Sequence, residues 1–425
     1  MSFPSPLPSG KTASLLLIAG AAAFPCLHAQ DFSRQVALAD RYFETGIIPE
    51  GLLSLLDPTM EGTLKGQFGL SVSLTAMYDS NVNLNGGRGG GPGFRSSGED
   101  DIIFSINPNI FYTSDPEGGA RHVITASYNP SYQIYLENSS LGRFNQNGGM
   151  SYVFNGAKLR LSAFLNLSQD SGADRFTGGY SEGSVLSAGL SANYQVAPRT
   201  SLNASLSSSF LSYSTAGSQD SDYISTNLGM SWAATELLSI GPSIRYRWAD
   251  SITTGTEHNF AFLLNASYKS TDLTSLSASV GVESTDNSRQ GGSGSELRFT
   301  GSLSFNYNFD PLWNWSGGIS YANIPSPTTF GYSINDLNFF TSLSRSLDYG
   351  SISASISYSL SDAQQVGPAG AAPGTVPGGD DYFSISLGYS RPIGVNGTSF
   401  FSSVNYSDSG PWDRWTMSVG LSRAF

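Results

Sequence analysis

From about residue 67 to the C-terminus, apolar and polar residues alternate with a period of two, and the polar partners are small and almost uncharged. In 158–168, Leu159, Leu161, Ala163, Leu165 and Leu167 alternate with Arg160, Ser162, Phe164, Asn166 and Ser168. In 351–361, Ile352, Ala354, Ile356, Tyr358 and Leu360 alternate with serines. Successive strand side chains point to opposite faces, so each such segment has one oily face and one face of Ser, Asn and Gly. A sandwich alternates too, but its outer face meets bulk water and carries many Lys and Glu. Here charged residues make up only 13% of the chain, about half the roughly 25% of an average soluble domain. A nearly uncharged polar face suits the inside of a barrel, and the oily face suits lipid.

Eighteen such segments can be read, at 67–81, 101–113, 122–137, 143–155, 158–170, 183–196, 200–213, 222–234, 237–250, 257–270, 273–286, 296–309, 313–323, 335–347, 350–362, 381–391, 398–408 and 412–425. Connections alternate in length. Long ones at 82–100, 171–182, 287–295, 324–334 and 363–380 interleave with tight ones such as Asn155-Gly156-Ala157-Lys158 and Ala197-Pro198-Arg199-Thr200. The tight ones carry hairpin residues. Short turns at one end and long loops at the other predict an all-β fold, a transmembrane antiparallel up-and-down β-barrel of about 18 strands. An even count puts both termini on the turn side, which for an outer-membrane barrel is the periplasm. Trp232, Phe309, Trp313 and Trp315 fall near turn-side ends on the apolar face, and Tyr78, Trp248, Tyr321, Tyr406 and Trp412 near loop-side ends. Two aromatic belts are expected where a barrel meets the two membrane interfaces.

The N-terminus reads as a signal peptide, residues 1–29: Lys11, an apolar run at 12–24, then small residues before Ala29. That run is too short to span a bilayer. The single Cys26 follows Pro25, which argues against lipidation, and removal of 1–29 leaves no cysteine. Residues 30–66 read as a periplasmic segment with a short amphipathic helix at 31–43, where Phe32, Val36, Ala39 and Phe43 share a face and Gly46 and Pro49 end the pattern. The barrel occupies 67–425. Other classes are excluded by composition. A net charge of -12 disfavours nucleic acid, and 12% aromatics disfavour disorder.

The chain ends Trp415-Thr-Met417-Ser-Val419-Gly420-Leu421-Ser-Arg423-Ala-Phe425. With Gly420, Leu421 and a terminal aromatic, this resembles the strand signal read by the barrel-assembly machinery, a partner it implies. Arg423 stands where an apolar residue is usual. The stretch Tyr78-Asp79-Ser80-Asn81 resembles the aromatic-Asp-x-Asn motif in the opening strand of the β-barrel porin 2 family. The resemblance implies an outer-membrane porin-like barrel and an association with exopolysaccharide.

Chemistry-bearing residues are few. His122 and His258 fall at opposite ends of the predicted barrel, too far apart for one constellation. No His/Cys cluster offers a transition-metal site, so no cofactor and no enzymatic activity are expected. Asp79, Asn81 and Asn83 alternate like the start of a calcium loop, but Leu84 replaces its glycine and Gly90 its bidentate glutamate. The acidic residues near strand ends, among them Asp100, Asp101, Asp170 and Asp381, read as solvated loop charges. By parity Arg160, Arg245, Arg247, Arg298, Asp79 and Glu283 point into the lumen, either lining it and setting selectivity or pairing to brace the wall. The expected function is a porin-like channel for small solutes or polysaccharide. The alternative is a closed structural or assembly barrel that binds an envelope or polysaccharide-secretion partner. Outer-membrane lipid is the surrounding partner.

Overall fold

The computed structural model describes residues 66–82, 99–116, 118–174, 179–213, 220–251, 255–271, 273–287, 295–325, 332–365, 381–393, 397–409 and 413–425. The expected signal peptide, the expected helix at 31–43, the calcium-loop-like positions beyond Val82 and Trp412 lie outside these residues.

Eighteen strands follow in order: β1 (Gln67–Asp79), β2 (Asp101–Thr113), β3 (His122–Tyr135), β4 (Arg143–Asn155), β5 (Leu159–Asp174), β6 (Gly179–Ala197), β7 (Thr200–Tyr213), β8 (Ser221–Ala233), β9 (Leu238–Ser251), β10 (Gly255–Thr271), β11 (Thr274–Asn287), β12 (Ser295–Asp310), β13 (Trp313–Pro325), β14 (Tyr332–Leu347), β15 (Gly350–Gln365), β16 (Tyr382–Pro392), β17 (Thr398–Asp408) and β18 (Asp413–Ala424). Each pairs antiparallel with the next, and β1 pairs with both β2 and β18. The sheet is therefore closed, which leaves no unpaired edge. The seam runs from Ser71↔Ala424 to Asp79↔Thr416. Among the described residues no helix is long and apolar enough to cross a membrane, a statement silent on strands.

Alternation decides which face is which. Leu74, Leu190, Leu228, Phe262 and Leu421 project outward and are about half exposed. The inner face is held by hydroxyl pairs between strands, including Ser162 with Ser191 (2.6 Å), Ser355 with Ser386 (2.5 Å) and Ser403 with Ser418 (2.7 Å). Each lies directly opposite its partner in register, the position from which cross-strand side chains touch. This is the reverse of a soluble protein, whose oily residues go inside.

The ladder is interrupted between β2 and β3, as it is beside Pro242 between β8 and β9. Pairing between β2 and β3 stops at Ile106↔Tyr132 and resumes at Ile110↔Tyr128. Pro108 and Pro130 stand opposite each other in the gap, and neither has an N–H to donate.

At the seam, glycine has a packing reason. A Cβ on Gly420 would lie 2.3 Å from Cζ of Phe401 and 2.7 Å from the Leu74 carbonyl oxygen. Phe401 is the inward residue paired to Gly420, and its ring occupies the space that glycine leaves. Gly420→Ala is expected to cost about 1–3 kcal/mol by overpacking, read as a lower temperature for loss of the folded band on a heat-modifiability gel. Phe401→Leu in the same chain is expected to recover part of it. No recovery would mean that the Leu74 carbonyl, rather than the Phe401 ring, sets the limit at this position.

Candidate functional site: the charged inner wall

Two groups of inward charges lie near the loop-side ends of the strands. The first spans β9 to β12. Arg245, Ala261, Glu283 and Arg298 form one row across four strands. Ala261 is small, so the Arg245 side chain crosses over it and its Nη2 donates to Glu283 Oε2 at 2.5 Å. Arg247 sits two residues on, with Nη1 3.9 Å from Glu283 Oε1. In the next row Arg247, Asn259 and Thr285 stand side by side. Asn259 Nδ2 donates to Glu257 Oε1 at 2.8 Å. Three guanidinium groups thus meet two carboxylates on one patch of wall. Asn259 Oδ1 and Thr285 Oγ1 are buried there with no hydrogen-bond donor among the described residues.

The second group closes the seam. Arg414 of β18 forks onto Asp79 of β1, through Nε at 2.8 Å and through Nη2. Such a two-pronged pair fixes orientation as well as charge. Around it, Asn81 N–H donates to Asp79 Oδ1 (3.0 Å) and Asn81 Nδ2 to the Asp413 carbonyl (3.0 Å). Ser80 N–H donates to the Trp415 carbonyl (2.9 Å), and Trp415 N–H returns a bond to Ser80 Oγ (2.8 Å). The Asp-x-Asn alternation that resembles a calcium loop is therefore a clasp between first and last strands. Asp79 is committed to a guanidinium.

Asp79, Arg160, Arg245, Arg247, Glu283 and Arg298 lie on the inner face by register, and they differ in access. Asp79, Arg245, Arg247 and Glu283 are buried, with Asp79 at 0% and Arg245 and Glu283 at 1% exposure. Arg160 and Arg298 are half-buried. Parity gives the direction of a side chain and says nothing of what packs beside it. Strands about 4.8 Å apart let long side chains fold flat along the wall and enclose one another. Arg160 stands apart from the others, at the turn-side end of β5 opposite Asn193. It edges a recess of about 360 Å³ that also takes in Lys158, Arg199 and Ser201. Arg414 escaped the reading of the sequence. Its parity with Thr416 and Ser418 was the available signal, since all three face inward.

Inward residues nearest the long connections are enclosed on many strands: Asp101, Tyr135, Ser209, Thr285, Asp336, Ser359 and Ser407 are all buried. Toward the turns the inner serines and asparagines are half exposed or open, as at Ser162, Asn193, Asn203 and Ser355. Burial is not confined to the loop end, since inward Val123, Val153 and Ser399 near the turns are buried as well.

Asp101, read as a solvated loop charge, is instead buried and structural. Asp101 accepts backbone N–H groups from Leu136 (3.0 Å), Glu137 (3.1 Å) and Asn138 (2.8 Å), capping the link from β3 to β4. Tyr78, Tyr358 and Tyr406 donate their hydroxyls to Asp100, Asp381 and Asp408, pinning the loop-side aromatic belt. The histidines lie on the outer face. His122 Nδ1 meets the Tyr152 hydroxyl and His258 Nδ1 the Tyr246 hydroxyl, both at 2.8 Å. Glu257, next to His258 in sequence, faces the other side of the sheet. Among the described residues no group of three or more metal-ligating side chains gathers.

Fold and wall together define a closed, eighteen-stranded barrel with an oily outside and a polar inside. No family model and no curated protein matches the sequence. Solved structures similar to it include the FrpB iron transporter from Neisseria meningitidis, F3-3 variant, at 12% identity and TM-score 0.47, covering 89% of this chain and 83% of that one. The outer membrane protein opdK from Pseudomonas aeruginosa is similar at 9% identity and TM-score 0.43, covering 86% and 100%. OccAB3 from Acinetobacter baumannii is similar at 11% identity and TM-score 0.42, covering 84% and 100%.

Proposed function

We propose that the protein is an outer-membrane channel for small solutes, with its turns and termini in the periplasm. The observation that carries this reading is the half-exposed inner wall of Ser and Asn in a closed barrel of this size. Eight-stranded barrels fill with their own side chains, whereas those of about 16–18 strands leave an aqueous channel. The oily outer face supports membrane insertion, and the leader-like N-terminus supports export. The barrel-assembly machinery is the partner that its last strand would engage. Transport rather than catalysis is supported by the placement of both histidines on the outer face. Passage of polysaccharide is a narrower proposal that rests on the porin 2 resemblance alone.

Conductance in a planar bilayer under a salt gradient tests the reading. Steady openings are expected, with a reversal potential close to zero, because paired buried charges leave little net charge on the wall. A second reading, a closed structural or assembly barrel, is favoured by the buried inward residues near the loop end. Silence from folded barrel, repeated after removal of residues 31–60, would overturn the channel and support that alternative.

A further inference from the structure

One sector of the outer face departs from the lipid-facing pattern. Even-numbered residues of β2 exchange backbone bonds with β3, as the Leu136 N–H to Ile102 carbonyl bond (3.1 Å) and the Ser114 N–H to Ile124 carbonyl bond (2.9 Å) show at either end. Pro108 opposite Pro130 therefore occupies a hydrogen-bonded position with two residues that lack N–H groups. Two ladder bonds are missing there, and two carbonyls face no backbone donor on the opposite strand. In an apolar surround such groups are expensive.

The next strands carry amides at the same level. Gln146 stands opposite Pro130, and Gln169 opposite Gln146. The Tyr128 hydroxyl donates to Gln146 Oε1 at 3.0 Å, and Gln146 Nε2 donates to Gln169 Oε1 at 2.8 Å. Exposed apolar residues bracket this polar row on both sides: Ile106 and Ile110 around Pro108, and Phe144 and Met150 around Gln146. Between its two rims, the outer face of β2 to β5 carries no Asp, Glu, Lys or Arg.

Acyl chains offer nothing to an amide, and a lipid phosphate would require a cation that this face lacks. A row of glutamines carries both donors and acceptors, so it is complementary to a copy of itself. We propose that the outer face of β2 to β5 is a two-fold interface with a second copy of this chain within the membrane. In closed homo-oligomers the same patch on each copy meets its twin, and side-chain hydrogen bonds across the contact replace those that lipid cannot make. This rests on the outer-membrane reading.

Site-specific crosslinking in isolated outer membranes tests it, on the full chain with Cys26→Ser. Phe144→Cys, beside the amide row, is expected to give a covalent band of twice the chain mass. Leu343→Cys, outward on β14, is expected to give none. Gln146→Leu with Gln169→Leu makes the face more lipid-like and preserves the barrel. Added to Phe144→Cys, the pair is expected to cut the crosslinked fraction about tenfold. No double-mass band from Phe144→Cys in heat-modifiable, folded protein would overturn the proposal, as would equal bands from both cysteines or a band of another mass. Absence of the protein from the membrane fraction would instead overturn the outer-membrane reading beneath it.

Discussion

Asp79→Ala is expected to destabilise the barrel by about 3–5 kcal/mol, the cost of stranding one member of a buried ion pair. Arg414 is only 4% exposed, so its guanidinium would lose its counter-ion with no water to replace it. The damage falls on the seam, where β1 and β18 are the first and last strands of the chain. Residues Tyr78 to Asn81 contribute a cluster of contacts there, and Asp79 is the only charge among them. Urea-dependent tryptophan fluorescence of barrel folded into lipid vesicles would report the loss as a lower midpoint. Asp79→Leu with Arg414→Met is expected to regain most of it, since an apolar pair of similar volume carries no desolvation cost. A single Asp79→Ala within about 0.5 kcal/mol of the parent would show that the clasp holds nothing. Calcium is expected to leave the midpoint unchanged.

Glu283→Gln is the second large effect, and it separates two roles for the charged wall. Glu283 is the shared partner of Arg245 and Arg247, at 2.5 Å and 3.9 Å. Neutralising it leaves two guanidinium groups facing an amide, with an expected loss of about 3 kcal/mol or more. It also raises the positive charge of the patch by one unit, so reversal potentials are expected to move toward anion preference. Arg298→Gln provides the contrast. Arg298 is half-buried, so its loss is expected to shift selectivity toward cations with a much smaller change in stability. Equal stability losses from both variants would assign the whole patch to bracing the wall. A selectivity shift from Arg298→Gln alone would place the solute path beside Arg298 and leave Glu283 to structure.

Much of the architecture was written in the alternation itself. A period of two is a local property, and the tight turns punctuate it, so strands such as β2, β4, β7 and β17 have the bounds that the residues predict. Strands such as β5, β6 and β15 run on past their apolar stretch. Beyond lipid, polar residues continue a ladder as readily as apolar ones, and the pattern that marks a boundary disappears. The direction of Arg245 or Glu283 was legible for the same local reason. Their contact was not, because it depends on register across β9, β10 and β11 and on Ala261 being small. Asp79 with Arg414 was harder still, since 335 residues separate them and only closure of the sheet brings them together. Asp101 looked like any loop acid, and nothing short of the chain path from β3 to β4 shows which amides it caps.

The hydroxyl pairs of the inner wall have a consequence for the channel we propose. In Ser162 with Ser191, Ser355 with Ser386 or Ser357 with Ser384, either oxygen can be the donor. Each pair can reverse by rotating two hydroxyl groups, with no backbone movement. These pairs therefore have no frozen polarity, and each can answer a donor with an acceptor and an acceptor with a donor. Such a surface lubricates more than it recognises. On the channel reading we propose, discrimination among solutes falls to the charged wall near the loop end, where side chains such as Arg245, Glu283 and Arg414 are held by their partners and cannot turn to suit a passer-by.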